Sequence, residues 1–192
     1  MLWPFILPFK ITLGVFSLLL ATVTVLAPAF RWKRTHAVFG GTVIAMLAFI
    51  PSCSVITYGL DQYRFGVFSY ADFDSVNDFR VERFLPEPAT DITVKKYAQG
   101  YQARFKIDKQ SLDDWFDQHW DRYSEYSVTP REEIIGARTL SANVFDREFE
   151  GLGWSPPTNV IDYEGPSAAN GAGFTLWYSE SDGIAYQRGG YW

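Results

Sequence analysis

The sequence predicts an α+β fold: a two-helix transmembrane hairpin followed by a small extracytoplasmic domain with an antiparallel sheet and one main helix. Three observations predict it. Residues 1–60 hold no Asp or Glu and contain two long apolar runs. All 22 acidic residues fall after position 60, against 13 basic ones, so that part carries a net charge of −9. Within it, two segments alternate at the period of a strand and one repeats at that of a helix. The expected division is 1–60 as the membrane anchor, 61–85 as an aromatic juxtamembrane linker and 86–192 as the α+β domain. The 132 residues after position 60 suffice for one ordinary core.

The first apolar run, residues 11–30, is 20 residues without a charge, long enough as a helix to cross a hydrocarbon core of ~30 Å. The second, residues 37–60, follows after Arg31-Trp32-Lys33-Arg34-Thr35-His36. So short a connection requires an antiparallel pair. Small residues let membrane helices approach closely, and two stripes of them are expected to meet: Gly14, Ser17, Ala21 and Thr24 against Gly41, Ala45, Ala48 and Ser52. Residues 1–9, with Pro4 and Pro8, are expected at the membrane surface.

Three of the four basic residues of this half lie between the helices, the signature of a cytoplasmic loop. Both termini and the domain would then face the periplasm or exterior of an inner (cytoplasmic) membrane, with Lys10 snorkelling to the interface. No basic stretch precedes the first run, which disfavours a cleaved signal peptide. Ile50-Pro51-Ser52-Cys53 resembles the lipobox of bacterial lipoproteins, in which the cysteine is lipidated. Pro51, the distance from Met1 and the apolar run continuing to Leu60 depart from that pattern, and an inert buried cysteine is the alternative. Cys53 is the single cysteine, so no intrachain disulfide forms.

In 61–85 the aromatics Tyr63, Phe65, Phe68, Tyr70, Phe73, Phe79 and Phe84 follow no clean period. Such rings favour a membrane–water interface, and Phe65, Phe68 and Phe73 are the expected interaction residues. Asp72, Asp74 and Asp78 approach a calcium-loop spacing, but Val76 stands where a ligand is needed and Asn77 where glycine is.

Leu85-Pro86-Glu87-Pro88 cannot continue a helix. Tyr101, Ala103, Phe105 and Ile107 then alternate with Gln102, Arg104 and Lys106, which predicts a hairpin with residues 91–97 around a turn at Ala98-Gln99-Gly100. A helix is expected from Ser111 as N-cap, with Leu112, Trp115, Phe116, Trp120 and Tyr123 as its apolar stripe and Asp113, Asp117 and Asp121 on a solvated face. Residues 142–149 and 159–163 read as short strands. Phe174, Leu176 and Tyr178 before Ser181-Asp182-Gly183, with Ile184-Ala185-Tyr186 after, predict a second hairpin. The segment Leu85-Pro86-Glu87-Pro88-Ala89-Thr90-Asp91-Ile92, with the hairpin and helix to residue 123, resembles over residues 85–123 uncharacterised exported bacterial domains with a P-x-x-A-x-D-I lead-in. That resemblance implies an extracytoplasmic bacterial setting and no function.

Catalytic patterns are sparse. His36 lies in the inter-helix loop, and His119 borders the apolar stripe, where a packed histidine is the expectation. There is no G-x-S-x-G, P-loop or H-E-x-x-H, Gly151-Leu152-Gly153 lacks a phosphate-binding context, and no cofactor or metal set is evident. The acidic domain argues against nucleic acid. The sequence therefore favours a non-enzymatic, membrane-anchored binding or accessory subunit whose partners are the bilayer and a membrane or envelope protein. A cell-envelope hydrolase using paired carboxylates is the alternative.

Overall fold

The computed structural model describes residues 3–131, 139 and 141–191, and the chain divides into two compact units, 1–64 and 65–192. In the first, α1 (Trp3–Leu26) ends in a 3-10 turn, Ala27–Phe30, and α2 (Arg34–Arg64) returns antiparallel to it. Arg31 takes the left-handed conformation at the reversal (φ 59°). Both helices are long and apolar enough to cross a membrane, and only 6% and 0% of their apolar windows are buried. A core helix of a soluble protein would be covered; these present Leu47, Ile50 and Met46 outward.

Residues 3–9 do not lie apart, because α1 runs through them and through Pro8. Pro8 has no N–H for the carbonyl four residues back, and that carbonyl, of Pro4, instead accepts from Arg64 Nη1 at 3.3 Å. Thr12, Thr22, Thr24, Ser54 and Thr57 each donate to the carbonyl four residues earlier. These bonds satisfy the hydroxyls within an apolar setting.

The packed faces match the expected stripe on α2 alone. Gly41, Ala45, Ala48 and Ser52 are partly buried, and a Cβ at Gly41 would lie 2.7 Å from Leu20 Cδ1. On α1 the contact row is Pro4, Pro8, Thr12, Phe16, Leu20 and Thr24, while Gly14, Ser17 and Ala21 are exposed. Phe49 packs edge-on against Phe9 at 5.3 Å and lies 6.2 Å from Phe16. Ring packing, not backbone approach, fills that part of the seam. The helix is unbroken through Pro51 and Cys53, whose Sγ donates to Thr12 Oγ1 at 3.3 Å.

The second unit is α+β, built on a six-stranded antiparallel sheet. Its strands are β1 (Gly66–Asp72), β2 (Thr90–Tyr97), β3 (Gly100–Lys106), β4 (Ile161–Glu164), β5 (Gly173–Ser179) and β6 (Ile184–Gly190), in the order β1-β2-β3-β6-β5-β4. The two hairpins stand where the alternation placed them. Gly100 permits the β3–β6 approach, since a Cβ there would meet the Gly189 carbonyl oxygen at 2.1 Å.

One sheet face (Ile92, Val94, Tyr101, Phe105, Leu176) packs with Val81, Phe84 and Leu85 and with Leu112, Phe116 and Trp120 of α4 (Lys109–Tyr123). The short α3 (Phe79–Glu82) supplies Val81. Tyr101 donates to Gln187 Oε1 at 3.0 Å, and Gln187 Nε2 donates to the Phe84 carbonyl, so the buried amide joins β3 and β6 to the β1–β2 connection.

Three expectations change. The helix starts at Lys109 and is capped by Asp108, which accepts from the Ser111 N–H at 2.9 Å; these bonds hold the exposed Asp108 carboxyl below its ordinary range. Residues 142–148 form a helix, α5 (Ala142–Glu148), not a strand. Phe145 and Phe149, four residues apart, bury one helical stripe against Trp177 and Tyr186 on the opposite sheet face. The stretch expected to be a linker holds the edge strand β1, a 3-10 turn (Phe73–Ser75) capped by Asp72, and α3 capped by Asp78.

Candidate functional site

An exposed apolar feature of the second unit is built around β1. Its residues from Gly66 to Ala71 carry neither charge nor proline, and it pairs only with β2, so its far edge has no strand beside it among the described residues. A strand edge presents a row of unpaired N–H and C=O groups, which sheets ordinarily protect with lysine, proline or a covering element. The alternation fixes its two faces. Val67, Ser69 and Ala71 are exposed, and Phe68 and Tyr70 are half-buried on the other side.

Lys96 organises that second side. Its ammonium lies 3.0 Å from Asp78 Oδ2 and 5.0 Å and 5.4 Å from the ring centres of Phe68 and Tyr70. A cation over aromatic faces with a carboxylate beside it explains how a lysine only 9% exposed is tolerated. Beyond it Phe79 is 73% exposed, with the Arg80 guanidinium 5.3 Å from its ring.

The three expected residues thus have different settings. Phe65 is half-buried at the start of the unit, Phe68 lies beneath Lys96, and Phe73 packs against the main core. Sequence reasoning missed Val67 and named Phe79 only among the aromatic rings of this stretch, not as an interaction residue; these are the two most exposed apolar side chains here. Sequence alone carried little signal for Val67, since Val67 and Ala71 are apolar on the face opposite Phe68 and Tyr70 and no polar/apolar alternation marks the strand.

Two cavities test for chemistry. The larger, about 450 Å³, is lined by Trp120, Phe174, Arg188, Thr175 and several glycines, with Glu164 as its one carboxylate among the described residues. Thr175 donates to Glu164 at 3.0 Å, and Arg188 pairs with Glu148 at 2.7 Å. The smaller, about 270 Å³, brings together Glu87, Asp114, Arg122 and His119. Both its carboxylates are exposed, whereas a carboxylic general acid is held in apolar surroundings.

His119 is packed among Trp115, Tyr123, Phe84 and Phe174, with ring centres 4.6–5.9 Å away. Its Nε2 is buried without a hydrogen-bond partner among the described residues. Burial, then Arg122 and Arg83, lower its pKa to about 4. Tyr163 donates to Asp113 Oδ1 at 2.5 Å; burial and that carboxylate push the phenol's pKa up, away from use as a base. Among the described residues no three His, Cys, Asp or Glu side chains cluster as metal ligands.

No protein-family model, no curated protein and no solved structure matches this chain.

Proposed function

We propose that this chain is a membrane-anchored, extracytoplasmic binding or accessory subunit that captures a partner segment along the free edge of β1. The observation that carries this is the edge itself: a strand uncharged and proline-free from Gly66 to Ala71, with exposed Val67 and Ala71 and an edge that no other strand pairs among the described residues. Strand addition to such an edge draws affinity from main-chain hydrogen bonds and specificity from alternate side-chain contacts. The domain's charge of −9 directs the choice toward basic, proteinaceous partners and away from nucleic acid.

In this reading the bilayer is the second partner. The nearly uncovered apolar windows of α1 and α2 call for hydrocarbon around them, and the basic Arg31–Lys33–Arg34 connection stays in the cytoplasm. The domain then faces the periplasm or exterior, with Phe68 within the edge strand and Phe65 and Phe73 flanking it in sequence.

Two measurements test this. A reporter active only outside the cytoplasm, fused after residue 192, should be active; a well-expressed but inactive fusion overturns the orientation. Changing Val67 and Ala71 together to Lys places on the edge the charges that natural sheets use to block pairing. That variant should lose the proteins that co-purify with the parent in mild detergent, while its stability stays within about 0.5 kcal/mol of the parent's. Undiminished co-purification would remove β1 from the interface.

A further inference from the structure

Among its described residues the hairpin carries two ionisable side chains of opposite sign without an ion-pair partner. Lys10 is exposed on α1 and makes no interaction among the described residues. Asp61, on the last turns of α2, is half-buried: its Oδ1 is covered by its own chain without a hydrogen-bond partner among the described residues, so a second copy meets the exposed side of the carboxylate. The two cannot be one another's partner in the same chain as packed. Pro8 and Thr12 are buried against α2, and Lys10, two residues from each, is turned about 200° from both. It therefore stands away from the seam.

Both nevertheless border one face. Leu13 and Ser17, three and seven residues beyond Lys10 and so on its side of α1, line a groove of about 460 Å³ with Met46, Phe49 and Ile50 of α2. A second groove of about 460 Å³ shares Phe49 and Ile50 and continues past Cys53 to Asp61. The Thr12–Cys53 contact sets the level of the helices: Lys10 lies opposite about residue 55. Asp61 is about 9 Å farther toward the same end of the hairpin, a gap that an extended lysine directed toward the interface largely closes.

We propose that a second copy of this chain covers this face in the membrane, as an isologous dimer in which Lys10 of each copy pairs with Asp61 of the other. The proposal rests on the membrane reading above. An acyl chain fills an apolar groove but neutralises neither charge, and an unpaired ionised side chain in or beside hydrocarbon is costly. A two-fold axis satisfies both charges at once, because each copy brings one cation and one anion to the same self-complementary face.

The test uses the full chain bearing donor or acceptor fluorescent proteins after residue 192, reconstituted at low density in phosphatidylcholine vesicles. Wild-type copies should show energy transfer. Lys10→Asp alone and Asp61→Lys alone should each weaken self-association roughly tenfold or more, since like charges then meet at both contacts. Mixing the two variants should restore it, because each cation of one again meets an anion of the other. Absence of transfer in the wild type, single variants that associate like the wild type, or a mixture that fails to recover each overturns the dimer. A carbonate wash separates the premises: a chain released from native membranes overturns the anchor, whereas a retained chain without transfer overturns the pairing alone.

Discussion

Replacing Trp120 with Ala is expected to destabilise the domain by about 3–5 kcal/mol, the range for removing a large buried aromatic side chain and leaving a cavity. Trp120 is 4% exposed, packs against Phe116 at 6.5 Å and donates from Nε1 to the Glu164 carbonyl at 3.2 Å. The substitution therefore removes core volume and the donor that ties α4 to the end of β4. Trp115 should behave differently, although it belongs to the same stripe. It is half-buried and packs on the core's margin beside His119 and Phe174, so Trp115→Ala should cost about 1–2 kcal/mol through partial loss of buried area. Denaturant unfolding of the two variants in the same detergent gives the comparison. Equal losses would show that the stripe is evenly buried and that the packing described for α4 is wrong.

The second large effect is a loss of stability in acid that belongs to one side chain. His119 titrates near 4 in the folded chain against an ordinary value of 6.5, because charging it would place a cation among four rings and beside Arg83 and Arg122. Between those values the unfolded chain holds a proton that the folded chain does not. Stability is therefore full above about pH 6.5, falls as the pH drops through the window and levels off below about 4, where both states are protonated. The shift corresponds to about 3 kcal/mol. His119→Phe keeps a ring in the cluster and removes the titration, so its unfolding midpoint should change far less between pH 7 and 4.5. The lowered carboxyl pKa values of exposed Asp91 and Asp108 act below about pH 4 and leave that window to His119. An equal fall in both proteins would assign the acid sensitivity elsewhere.

Local pattern carried much of this fold. Two uncharged runs, a polar/apolar alternation at Tyr101–Ile107 and another at Phe174–Tyr178, and a stripe from Leu112 to Trp120 are each readable because their period is a property of a single element. The same logic found Gly41, Ala45, Ala48 and Ser52. The four-residue spacing of Phe145 and Phe149 in α5 is such a helical period, in a segment that reads as a strand by itself.

The rest was decided by tertiary structure. Whether the face of α1 that meets α2 carries small residues or Pro8, Thr12, Phe16 and Leu20 depends on how the aromatic rings at Phe9, Phe16 and Phe49 pack, which no single helix specifies. β1 looked like a linker because its pairing partner, β2, begins 18 residues after it ends, and the apolar side of the strand is completed by Lys96 from that neighbour. That His119 would be buried without a partner for Nε2 depends on Phe84 and Phe174 arriving from elsewhere in the chain. By itself the sequence determined where the chain is apolar, where it is acidic and where it alternates. Which edge is left open and which charges are left unpaired is a relation between distant segments, and only their packing set it.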